Sequence, residues 1–569
     1  MYFTLFFSLF SIGIFSAKIE DMIKRAVIQV ENTENLADFA GFLVSEGWTI
    51  LSANKTEEIL RNQKIPVTHE VALSESNAYI NETSALIRRI MMSRYDAPQS
   101  SRIETEENNI FIVCMNLTPQ INNINTKQFD NQICPKNYFV STVIRNAFRN
   151  YENLLILTDP ADYKEAIIQL KTDSISDDFR LYLAAKALNM VAAYDAGLST
   201  SILSSKPYNE FFPVYLALPF KKEFSLHNGL NQNQTAYFYK SPTENNPNGN
   251  FLKTLGKDLS YTLFSDVSYA WEKIDSIYAL LKNQTTVKSI NSDGYEFTTQ
   301  FTPLAGTVFT VAVKFNTILG AALSDSVQES FRMTYTYDSR STSDVVFACS
   351  AVINTEAATE IVKCDFAAIV APSFTTEAKQ ILSANKKTKL ISSTRISNVN
   401  IEGRLINGGL LLQTKDLTLF NQWKVRTKNR PSQLQTDEMV FGMMLVMGAR
   451  SYSAVLLKQN MICGISQSCT STEGAITGVL YEAMKHCERS NGIVNVNPEI
   501  DRSIDTSNLG EVLVCDSEIP FCEAVKRLID KGVKAILQTG GTPLDSEFID
   551  YCNERGVVMV FTGITHLSF

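Results

Sequence analysis

A chain of 569 residues is too long for one hydrophobic core, and its length suggests about three or four domains. Apolar residues make up 45% and charged residues 20%, an ordinary globular composition, and the net charge of −8 excludes the basic footprint of a protein that binds nucleic acid or anionic membranes. Four histidines leave little room for histidine-based acid–base chemistry or metal ligation, so we predict no metal site.

Residues 1–17, MYFTLFFSLFSIGIFSA, form an apolar run that ends in small residues. This pattern is typical of a secretory signal peptide, although the usual basic start is missing. An uncleaved anchor and a wrongly chosen start codon are the alternatives. The run is shorter than the ~20 residues that a membrane span needs. The sequence therefore predicts a secreted or secretory-pathway protein without a membrane span if the leader is real, and a cytosolic protein if it is not.

Strands and helices alternate along residues 24–165, which predicts a doubly wound α/β domain with a parallel sheet. Short apolar runs predict the strands, and amphipathic runs predict the helices between them. The predicted strands are Lys24–Val30, Trp48–Ser52, Asn109–Asn116 and Asn153–Thr158. One predicted helix buries Leu36, Phe39, Phe42 and Leu43, and the next runs over Glu57–Asn62.

The rest of the chain contains a long helix, a loop and a second α/β region. Small and apolar positions predict a closely packed helix over Asp178–Leu203. Asn228–Asn250 is rich in Asn, Gln, Pro and Gly, a composition typical of loops. The second α/β region runs from about Phe251 to the C-terminus.

A glycine-containing turn separates a strand and a helix near the C-terminus. Gly540 and Gly541 follow the predicted strand Ala535–Gln538 and precede the helix Asp545–Asn553. Glycines allow close backbone approach, and the N-terminus of the helix can accept an anion. Tight strand-to-helix turns also use such glycines without any ligand.

A lysine closes the most apolar strand of the second region. Val308–Phe315 is continuous apolar, β-branched and aromatic sequence except for Lys314, which precedes the loop Asn316–Gly320. Open α/β sheets place their sites outside the carboxyl ends of strands, so Lys314 is a candidate site residue. The alternative is a lysine whose ammonium extends past the strand end into water. Phe315, the next residue, has a ring that cannot transfer a proton.

Several motifs in chain order resemble those of the phosphoribosylaminoimidazolecarboxamide (AICAR) formyltransferase / IMP cyclohydrolase family. These are Leu183-Ala184-x-Lys186-Ala187 with Tyr194-Asp195, Gly229-x-Asn231-x-x-Gln234, Leu259-Ser260-Tyr261 with Asp266, Ile369-Val370-Ala371-Pro372-x-Phe374-x-x-Glu377-Ala378, and Met559-Val560-Phe561-Thr562-Gly563. Because they are scattered from residue 183 to 563, coincidence is a poor explanation.

The resemblance implies a methylglyoxal-synthase-like cyclohydrolase domain over residues 24–165. It also implies a transformylase region over 166–569, built from two cytidine-deaminase-like α/β halves with a boundary near 365–400. Family members are homodimers that transfer a formyl group from 10-formyltetrahydrofolate to the purine nucleotide AICAR and then cyclise the product to IMP. The implied partners are a second copy, a purine nucleotide and folate.

The transformylase residues of the family carry over incompletely. Lys314 matches the family's lysine, but Phe315 stands where the family has the histidine that transfers protons. A general base is typically worth ~10²–10⁴ in rate, and a benzyl ring supplies none of it. His227 replaces an arginine, and the family's GQxSR motif falls on Ser466–Thr470, SQSCT, which contains no arginine. The residues that match best and that we predict to line a residual nucleotide pocket are Asn231, Gln234, Asp266 and Lys314; for Asp266 the alternative is a structural partner of Lys186 or Lys257.

The cyclohydrolase residues carry over no better. The family's STGGT phosphate loop aligns with Ser52–Thr56, SANKT, where both glycines are lost although Ser52 and Thr56 match. The family's RVKTLHP segment aligns with Tyr79–Ala85, which has no basic residue. Arg149 replaces a lysine, and a guanidinium group cannot exchange protons as a lysine amine does. Thr142 and Arg145 match a family helix, where packing would explain them equally well.

Two hypotheses follow from these substitutions. In the first, the chain is a purine-biosynthesis homologue whose catalysis is reduced or lost. In the second, it is a non-catalytic dimeric scaffold or a nucleotide-binding pseudoenzyme, with a place in the secretory pathway if the leader is real. Loss of the base, the phosphate loop and the cationic side chains together is hard to compensate, so we favour loss of catalysis over an active enzyme that uses substituted groups.

Overall fold

The structure is a computed structural model of the full chain. It describes residues 24–70, 80–92, 110–117, 135–172, 174–203, 210, 212–240, 252–255, 259–301, 307–337, 344–393, 401–488 and 509–568. The predicted leader, Lys257 and the start of the segment aligned with RVKTLHP lie outside the described residues. The chain divides into two compact units: the first runs to Glu223 and takes in a short segment that begins at Tyr239, and the second contains the remaining residues.

The first unit contains a parallel sheet with helices on both faces. The strands are β1 (Arg25–Gln29), β2 (Thr49–Ser52), β3 (Thr68–His69), β4 (Ile112–Met115) and β5 (Leu155–Leu157). The helices are α1 (Leu36–Ser45), α2 (Asn54–Asn62), α3 (Ile80–Met92), α4 (Pro135–Phe148), α5 (Tyr163–Lys171) and α6 (Asp177–Leu203). The strands lie in the order β3-β2-β1-β4-β5, so β1 is central and its neighbours add on either side.

Side chains alternate between the two faces of this sheet because strand residues point to opposite sides in turn. Ile28 packs with α1 and α5 on one face, whereas Val27 packs with α3, α4 and α6 on the other. Ala184, Ala187 and Val191 of α6 belong to the second of these cores. The compact unit extends beyond the domain boundary predicted at 165/166, and that boundary stays a prediction.

The strands described after α6 form two ribbons and one large sheet. They are β6 (Lys221–Leu226), β7 (Ala236–Lys240), β8 (Leu252–Leu255), β9 (Thr286–Ile290), β10 (Glu296–Gln300), β11 (Val308–Lys314), β12 (Thr317–Ser324), β13 (Val346–Cys349), β14 (Ala368–Ala371), β15 (Lys389–Ser392), β16 (Ile401–Ile406), β17 (Gly409–Thr414), β18 (Trp423–Val425), β19 (Ala454–Lys458), β20 (Met461–Ser466), β21 (Val512–Cys515), β22 (Ala535–Gln538) and β23 (Val558–Phe561). The ribbons pair β6 with β7 and β16 with β17. The large sheet belongs to the second unit, and its order is β10-β9-β18-β23-β22-β21-β19-β20-β12-β11-β13-β14-β15-β8.

Helices cover both faces of the large sheet. They are α7 (Tyr261–Asn283), α8 (Val327–Tyr337), α9 (Thr355–Ile361), α10 (Thr376–Leu382), α11 (Gln433–Val446), α12 (Thr472–Glu488), α13 (Glu523–Asp530) and α14 (Asp545–Glu554). The buried residues of α7 and α11 share one hydrophobic core on one face. The other helices pack on the opposite face, where their residues form two cores, one for each half of the sheet.

The second unit contains two copies of one arrangement of helices and strands. Each repeat contains a helix, an antiparallel hairpin (β11–β12 or β19–β20), and then helices that alternate with three parallel strands. In the first repeat, β9 and β10 come between the helix and the hairpin. The first repeat runs from α7 to β15 and the second from α11 to β23. The hairpins meet in the middle, where β12 lies antiparallel to β20. Both hairpins carry an irregularity at the same place, between Ala312 and Val313 and between Leu456 and Leu457.

The predicted α/β class is confirmed, and two details differ from expectation. The composition of 228–250 predicts a loop, yet β7 occupies Ala236–Lys240, because Tyr237 and Tyr239 alternate with the other side chains as in a strand. The strand predicted to reach Phe315 ends at Lys314, because Phe315 turns into a left-handed conformation. Within the described ranges, no helix has the length and apolar character needed to cross a membrane.

Candidate functional site

The predicted site lies at the tip of the β11–β12 hairpin. Lys314 pairs with Thr317, and the two residues between them, Phe315 and Asn316, have φ values of 54° and 52°. A two-residue loop with both φ values positive has the type I′ geometry that suits hairpins. Asparagine tolerates this conformation, but for phenylalanine it costs about 1–2 kcal/mol. The turn therefore holds an aromatic residue in a strained backbone conformation.

Asp266 on α7 holds this turn in place. Its side chain is buried, and its carboxylate accepts the backbone N–H of Phe315 at 3.0 Å and of Asn316 at 2.6 Å. Burial raises the pKa of Asp266, opposed by the two backbone N–H groups and by the Lys314 ammonium. Both carboxylate oxygens are thus used by the backbone. Lys186, one of the alternative partners considered for Asp266, contacts Asp159 and Asp162 in the first unit at 2.8 and 2.7 Å.

The Lys314 ammonium lies beside an aromatic ring and an exposed carboxylate at the strand end. Its Nζ is 5.7 Å from the centre of the Phe315 ring and 4.0 Å from Oδ2 of Asp344. The Lys314 side chain is 24% exposed, that of Asp344 is 83% exposed, and Phe315 is 65% exposed. This arrangement can bind an anion or a planar group through its cation and ring. The ring contributes nothing to proton transfer.

The SQSCT segment of the second repeat reaches the same hairpin. Gln467 uses its side-chain amide twice on the backbone of Ile318: Ile318 N–H donates to Oε1 at 3.3 Å, and Nε2 donates to Ile318 O at 2.9 Å. Ser466 Oγ lies 3.2 Å from Cys469 Sγ in the same loop. Sequence reasoning singled out this segment because it lacks the arginine of the family motif. It missed Gln467, which contacts the hairpin.

An equivalent turn exists in the second repeat. Gln459 and Asn460 join β19 to β20 with φ values of 51° and 59°. Glu438 on α11 accepts the N–H of Asn460 at 3.1 Å, and burial raises the pKa of Glu438 to about 6. Lys458 stands at the strand end where Lys314 stands in the first repeat, but it is buried, with 6% exposure. The lysine, the turn and the acid therefore belong to the repeated fold.

The predicted residues His227, Asn231 and Gln234 form a local turn. Asn231 N–H donates to Gln234 Oε1 at 2.9 Å, and Gly229 N–H donates to Gln234 O at 2.7 Å. The exposed His227 donates its backbone N–H to Leu259 O at 3.0 Å, which ties the turn to the segment that precedes α7. The side chains of Asn231 and Gln234 thus hold their own loop together.

Gly540 and Gly541 both have positive φ, 78° and 112°. A side chain on Gly540 would collide with the ring of Phe561, whereas Gly541 faces open space. The N–H of Gly541 donates to the carboxylate of Asp545, the first residue of α14, at 2.7 Å. The protein itself therefore supplies an anion to the backbone group that was predicted to receive one.

In the first unit, Ser52 and Thr56 turn their hydroxyl groups toward β1. Ser52 Oγ donates to Ile28 O at 2.7 Å, and Thr56 Oγ1 donates to Val30 O at 3.0 Å and accepts Val30 N–H at 3.2 Å. Both side chains are fully buried. Asn54 adopts a positive φ of 52° where the family has its first loop glycine. These hydroxyl groups support the sheet.

Three other predicted residues of the first unit lie on α4 or immediately after it. Arg149 is exposed. Arg145 is also exposed and forms a hydrogen-bonded ion pair with Asp195 of α6. Thr142 is half-buried, and its carbonyl accepts the side-chain amide of Asn146 at 2.8 Å. Arg145 thus joins two helices through a surface contact.

Comparison with known proteins decides the family. The model of the AICARFT/IMPCHase bienzyme matches residues 147–476. This chain belongs to the AICARFT/IMPCHase bienzyme family. It is 29% identical over 558 residues to the "Bifunctional purine biosynthesis protein PurH" of Clostridium botulinum strain Kyoto, with 96% of this chain and 100% of that protein covered. The protein of the same description from Clostridium acetobutylicum is 28% identical over 558 residues, with the same coverage.

A solved structure described as "Crystal structure of ForH" is 23% identical and covers 32% of this chain and 98% of its own, with a TM-score of 0.28. That TM-score is too low to support any inference about the fold. The family membership predicted from the scattered motifs is confirmed by the family model and by the full-length relatives.

Within this bienzyme-family chain, a buried polar cluster surrounds the C-terminal tail that contains His566. Asp516, just after β21, accepts hydrogen bonds from Ser451 Oγ at 2.8 Å and from Ser453 Oγ at 2.9 Å. His566 is buried, with Nδ1 2.5 Å from Asp416 Oδ2 and Nε2 3.1 Å from Leu419 O. The cluster fixes the tail to neighbouring loops. In the ranges that the structure describes, no group of three metal-ligating side chains occurs.

Proposed function

We propose that this member of the AICARFT/IMPCHase bienzyme family has lost most or all of its formyl-transfer activity and acts as a non-catalytic, nucleotide-binding scaffold. The observation that carries the proposal is the pairing of Lys314 with a phenylalanine ring at the hairpin tip. Both carboxylate oxygens of Asp266 accept backbone N–H groups. The carboxylate of Asp344 is largely exposed and lies 4.0 Å from the Lys314 ammonium. Neither is arranged to replace a proton-transferring imidazole.

The cyclohydrolase reaction is proposed to be lost as well. An anion cradle needs free backbone N–H groups and hydroxyl groups that face the ligand. Here the hydroxyl group of Ser52 bonds to Ile28 of β1 and that of Thr56 to Val30, which follows β1, and the glycines of the family loop are replaced by Asn54 and Lys55. Arg149 retains a positive charge but cannot exchange its proton near neutral pH.

The finer fold assignment supports the same proposal. The first unit has the strand order of a doubly wound sheet, which fits the proposed methylglyoxal-synthase-like domain. The two repeats of the second unit fit the proposed pair of deaminase-like halves of a transformylase. The ligands that this scaffold would retain are a purine nucleotide and, at the Lys314 turn, 10-formyltetrahydrofolate or a related folate.

A homodimer is part of the proposal. Val214 and Tyr215 are 94% and 90% exposed, and Phe212 and Phe220 are also exposed large apolar side chains on the same segment. A segment with several exposed large apolar side chains is typical of a surface that another protein covers. Analytical ultracentrifugation of the purified chain tests the dimer, and a monomer at micromolar concentration would contradict it.

The leader predicts entry into the secretory pathway, where cytosolic nucleotide and folate substrates are scarce. N-terminal sequencing of the mature protein is expected to begin near Lys18. An intact Met1 on cytosolic protein would remove the secretory part of the proposal without affecting the rest.

The deciding experiment measures formyl transfer from 10-formyltetrahydrofolate to AICAR, and IMP formation, with the natural chain. Turnover is expected to lie at least ~10²-fold below the ordinary range of ~1–10³ s⁻¹. Turnover within that range would refute the proposal. Phe315→His tests which residue limits the reaction and is expected to raise formyl transfer. Gln459→His is the matched control, because it places the same imidazole in the equivalent turn of the other repeat.

A further inference from the structure

The two repeats of the second unit meet along a short seam between β12 and β20. Backbone pairing aligns Ala322 with Met461, and Leu323 N–H donates to Asn460 O at 3.0 Å. These contacts lie at the end of the seam where the second repeat makes its turn. At the other end lies the Lys314 turn of the first repeat, and there the connection is made by a side chain.

Gln467 extends the seam by acting as a substitute peptide group. Ile318 lies opposite Val313 in the hairpin, and its backbone N–H and C=O both bond to the Gln467 amide at 3.3 and 2.9 Å. An amide side chain can accept and donate at once, as a backbone peptide does in a ladder. Ile318 is buried, so without Gln467 two backbone groups would lose their partner away from water.

Backbone hydrogen bonds within the second repeat hold the loop that carries Gln467. Ser468 N–H donates to Arg450 O at 2.8 Å, and Tyr452 N–H donates to Cys469 O at 2.8 Å. Ser451 in turn bonds to the C-terminal tail, with its N–H donating to Ser568 O at 2.8 Å. Gln467 therefore connects a loop that is hydrogen-bonded within the second repeat to β12, the hairpin strand that starts three residues after Lys314.

We propose that Gln467 is a positioning residue for Lys314: its amide joins the second repeat to the Ile318 backbone and so sets where the hairpin holds the ammonium. The repeat supplies a contrast, because at the opposite end of the seam the backbone of Leu323 makes the link and no side chain is needed. This role of Gln467 in placing Lys314 does not depend on whether formyl transfer survives in this chain.

The test uses the full chain with Gln467→Met, which keeps the length of the side chain and removes both hydrogen bonds, and Gln467→Glu, which keeps an acceptor for Ile318 N–H but places oxygen against Ile318 O. Leu323→Met is the matched control at the other end of the seam. Amide hydrogen exchange reports on residues 313–318. The pH profile of competitive acetylation, read by mass spectrometry, reports on the Lys314 ammonium relative to the exposed Lys379.

Both Gln467 variants are expected to accelerate exchange over residues 313–318 by about tenfold or more. They are also expected to change the relative acetylation rate of Lys314 by about threefold or more, because the ammonium would no longer be held in one place beside the Phe315 ring and Asp344. Leu323→Met is expected to change neither. A role in packing alone predicts that Gln467→Met, the closest match in shape, behaves like the natural chain; that result would overturn the proposal.

Two further outcomes are decisive. Faster exchange with an unchanged Lys314 acetylation profile would show that Gln467 stabilises the hairpin without positioning the ammonium, which also overturns the proposal. If Gln467→Met does not fold, Gln467→Asn takes its place in the test. Asparagine keeps the amide, but its side chain is shorter by one methylene group, so the amide no longer reaches Ile318. The same two readouts then decide, with the natural profile in Gln467→Asn counting against the proposal.

Discussion

Replacing the buried Lys273 by methionine should change how the stability of the second unit depends on pH. Lys273 lies on α7 and donates from Nζ to Met447 O at 2.5 Å, at the C-terminal end of α11. Its ammonium also lies 5.3 Å from the ring centre of Tyr269. Burial lowers the pKa of Lys273 from 10.5 to about 8, and the nearby Glu272 opposes the shift. The lysine thus joins the two repeats through a charge held out of water.

The size of the effect follows from that shift. A fall of the pKa from 10.5 to about 8 corresponds to about 3 kcal/mol of free energy. Below pH 8 the folded state is destabilised by this amount, because it keeps the buried ammonium charged. Methionine removes this cost and the hydrogen bond to Met447 O, which is worth about 1.5–3 kcal/mol for a charged donor. At pH 7 the two changes nearly cancel, and Lys273→Met is expected to lie within about 1.5 kcal/mol of the natural chain.

The sign of the pH dependence is fixed by proton binding. Between pH 8 and 10.5 the folded state has released the Lys273 proton while the unfolded state still holds it, so the free energy of unfolding rises with pH. Below pH 8 both states are charged, and above 10.5 both are neutral. Relative to Lys273→Met, the natural chain should gain about 2 kcal/mol between pH 7.5 and 9.5.

Unfolding followed by tryptophan fluorescence provides the assay, because Trp271 and Trp423 are buried in the second unit and only Trp48 lies in the first. Melts of the natural chain and the variant are compared at each pH, so titration of other groups cancels in the difference. The exposed Lys379→Met is the control and should show no such trend. A difference between the natural chain and Lys273→Met that stays constant from pH 7.5 to 9.5 would show that the ammonium is not desolvated, and the reasoning would fail.

The remaining predictions concern the two equivalent turns. Asp266→Ala removes the acceptor of two backbone N–H groups and should lower the free energy of unfolding by about 3 kcal/mol, measured by urea denaturation; a loss under about 1 kcal/mol would contradict the proposed clamp. Phe315→Gly relieves the left-handed strain and should raise the melting temperature, with a stabilisation of about 0.5–1 kcal/mol, whereas a lower melting temperature would mean that the ring stabilises the turn by more than the strain costs. Glu438 has its pKa raised from 4.5 to about 6, so the folded state keeps its proton longer and stability falls as pH rises through this window. Relative to Glu438→Gln, the natural chain should lose about 2 kcal/mol between pH 4.5 and 7, and parallel pH curves for the two proteins would count against a buried carboxyl group.

The sequence predicted strands more reliably than it predicted the roles of polar side chains. The apolar run before Lys314 determines a buried strand through burial alone, and the structure contains it as β11. The turn after it could not be predicted in the same way, because phenylalanine is a poor residue for positive φ. Its conformation depends on Asp266, which lies 49 residues away from Phe315 in sequence. Only the folded chain brings that carboxylate to the turn.

Contacts across the repeat seam were beyond sequence reasoning for a similar reason. Gln467 and Ile318 are separated by 149 residues, and no local pattern links them. Ser52 and Thr56 illustrate the opposite difficulty. Their residue types match a phosphate loop, but the structure orients both hydroxyl groups to the backbone of β1 and of the residue that follows it. Residue type alone does not decide whether a hydroxyl group faces a ligand or a neighbouring strand.

The repeat did leave a signal in the sequence. Lys314-Phe315-Asn316 and Lys458-Gln459-Asn460 each follow an apolar strand, and Asp266 and Glu438 each lie six positions after a serine N-cap, Ser260 and Ser432. Gly320 and Gly464 each lie six positions after their lysine and pack against a helix carbonyl oxygen, of Thr334 and Val479 respectively. The shared spacing of serine to acid and of lysine to glycine pairs these positions from residue types alone.

This pairing changes what the retained residues mean. Asn316, Gly320 and Asp266 have counterparts in the second repeat that perform the same structural task around Lys458. Folding alone therefore explains their presence, and they do not by themselves support a retained nucleotide pocket. Lys314 differs from its counterpart in one respect, because its side chain is 24% exposed while Lys458 is buried. A hairpin that needed only a structural lysine would bury it as the second repeat does, so the accessible ammonium is the feature that still indicates a ligand.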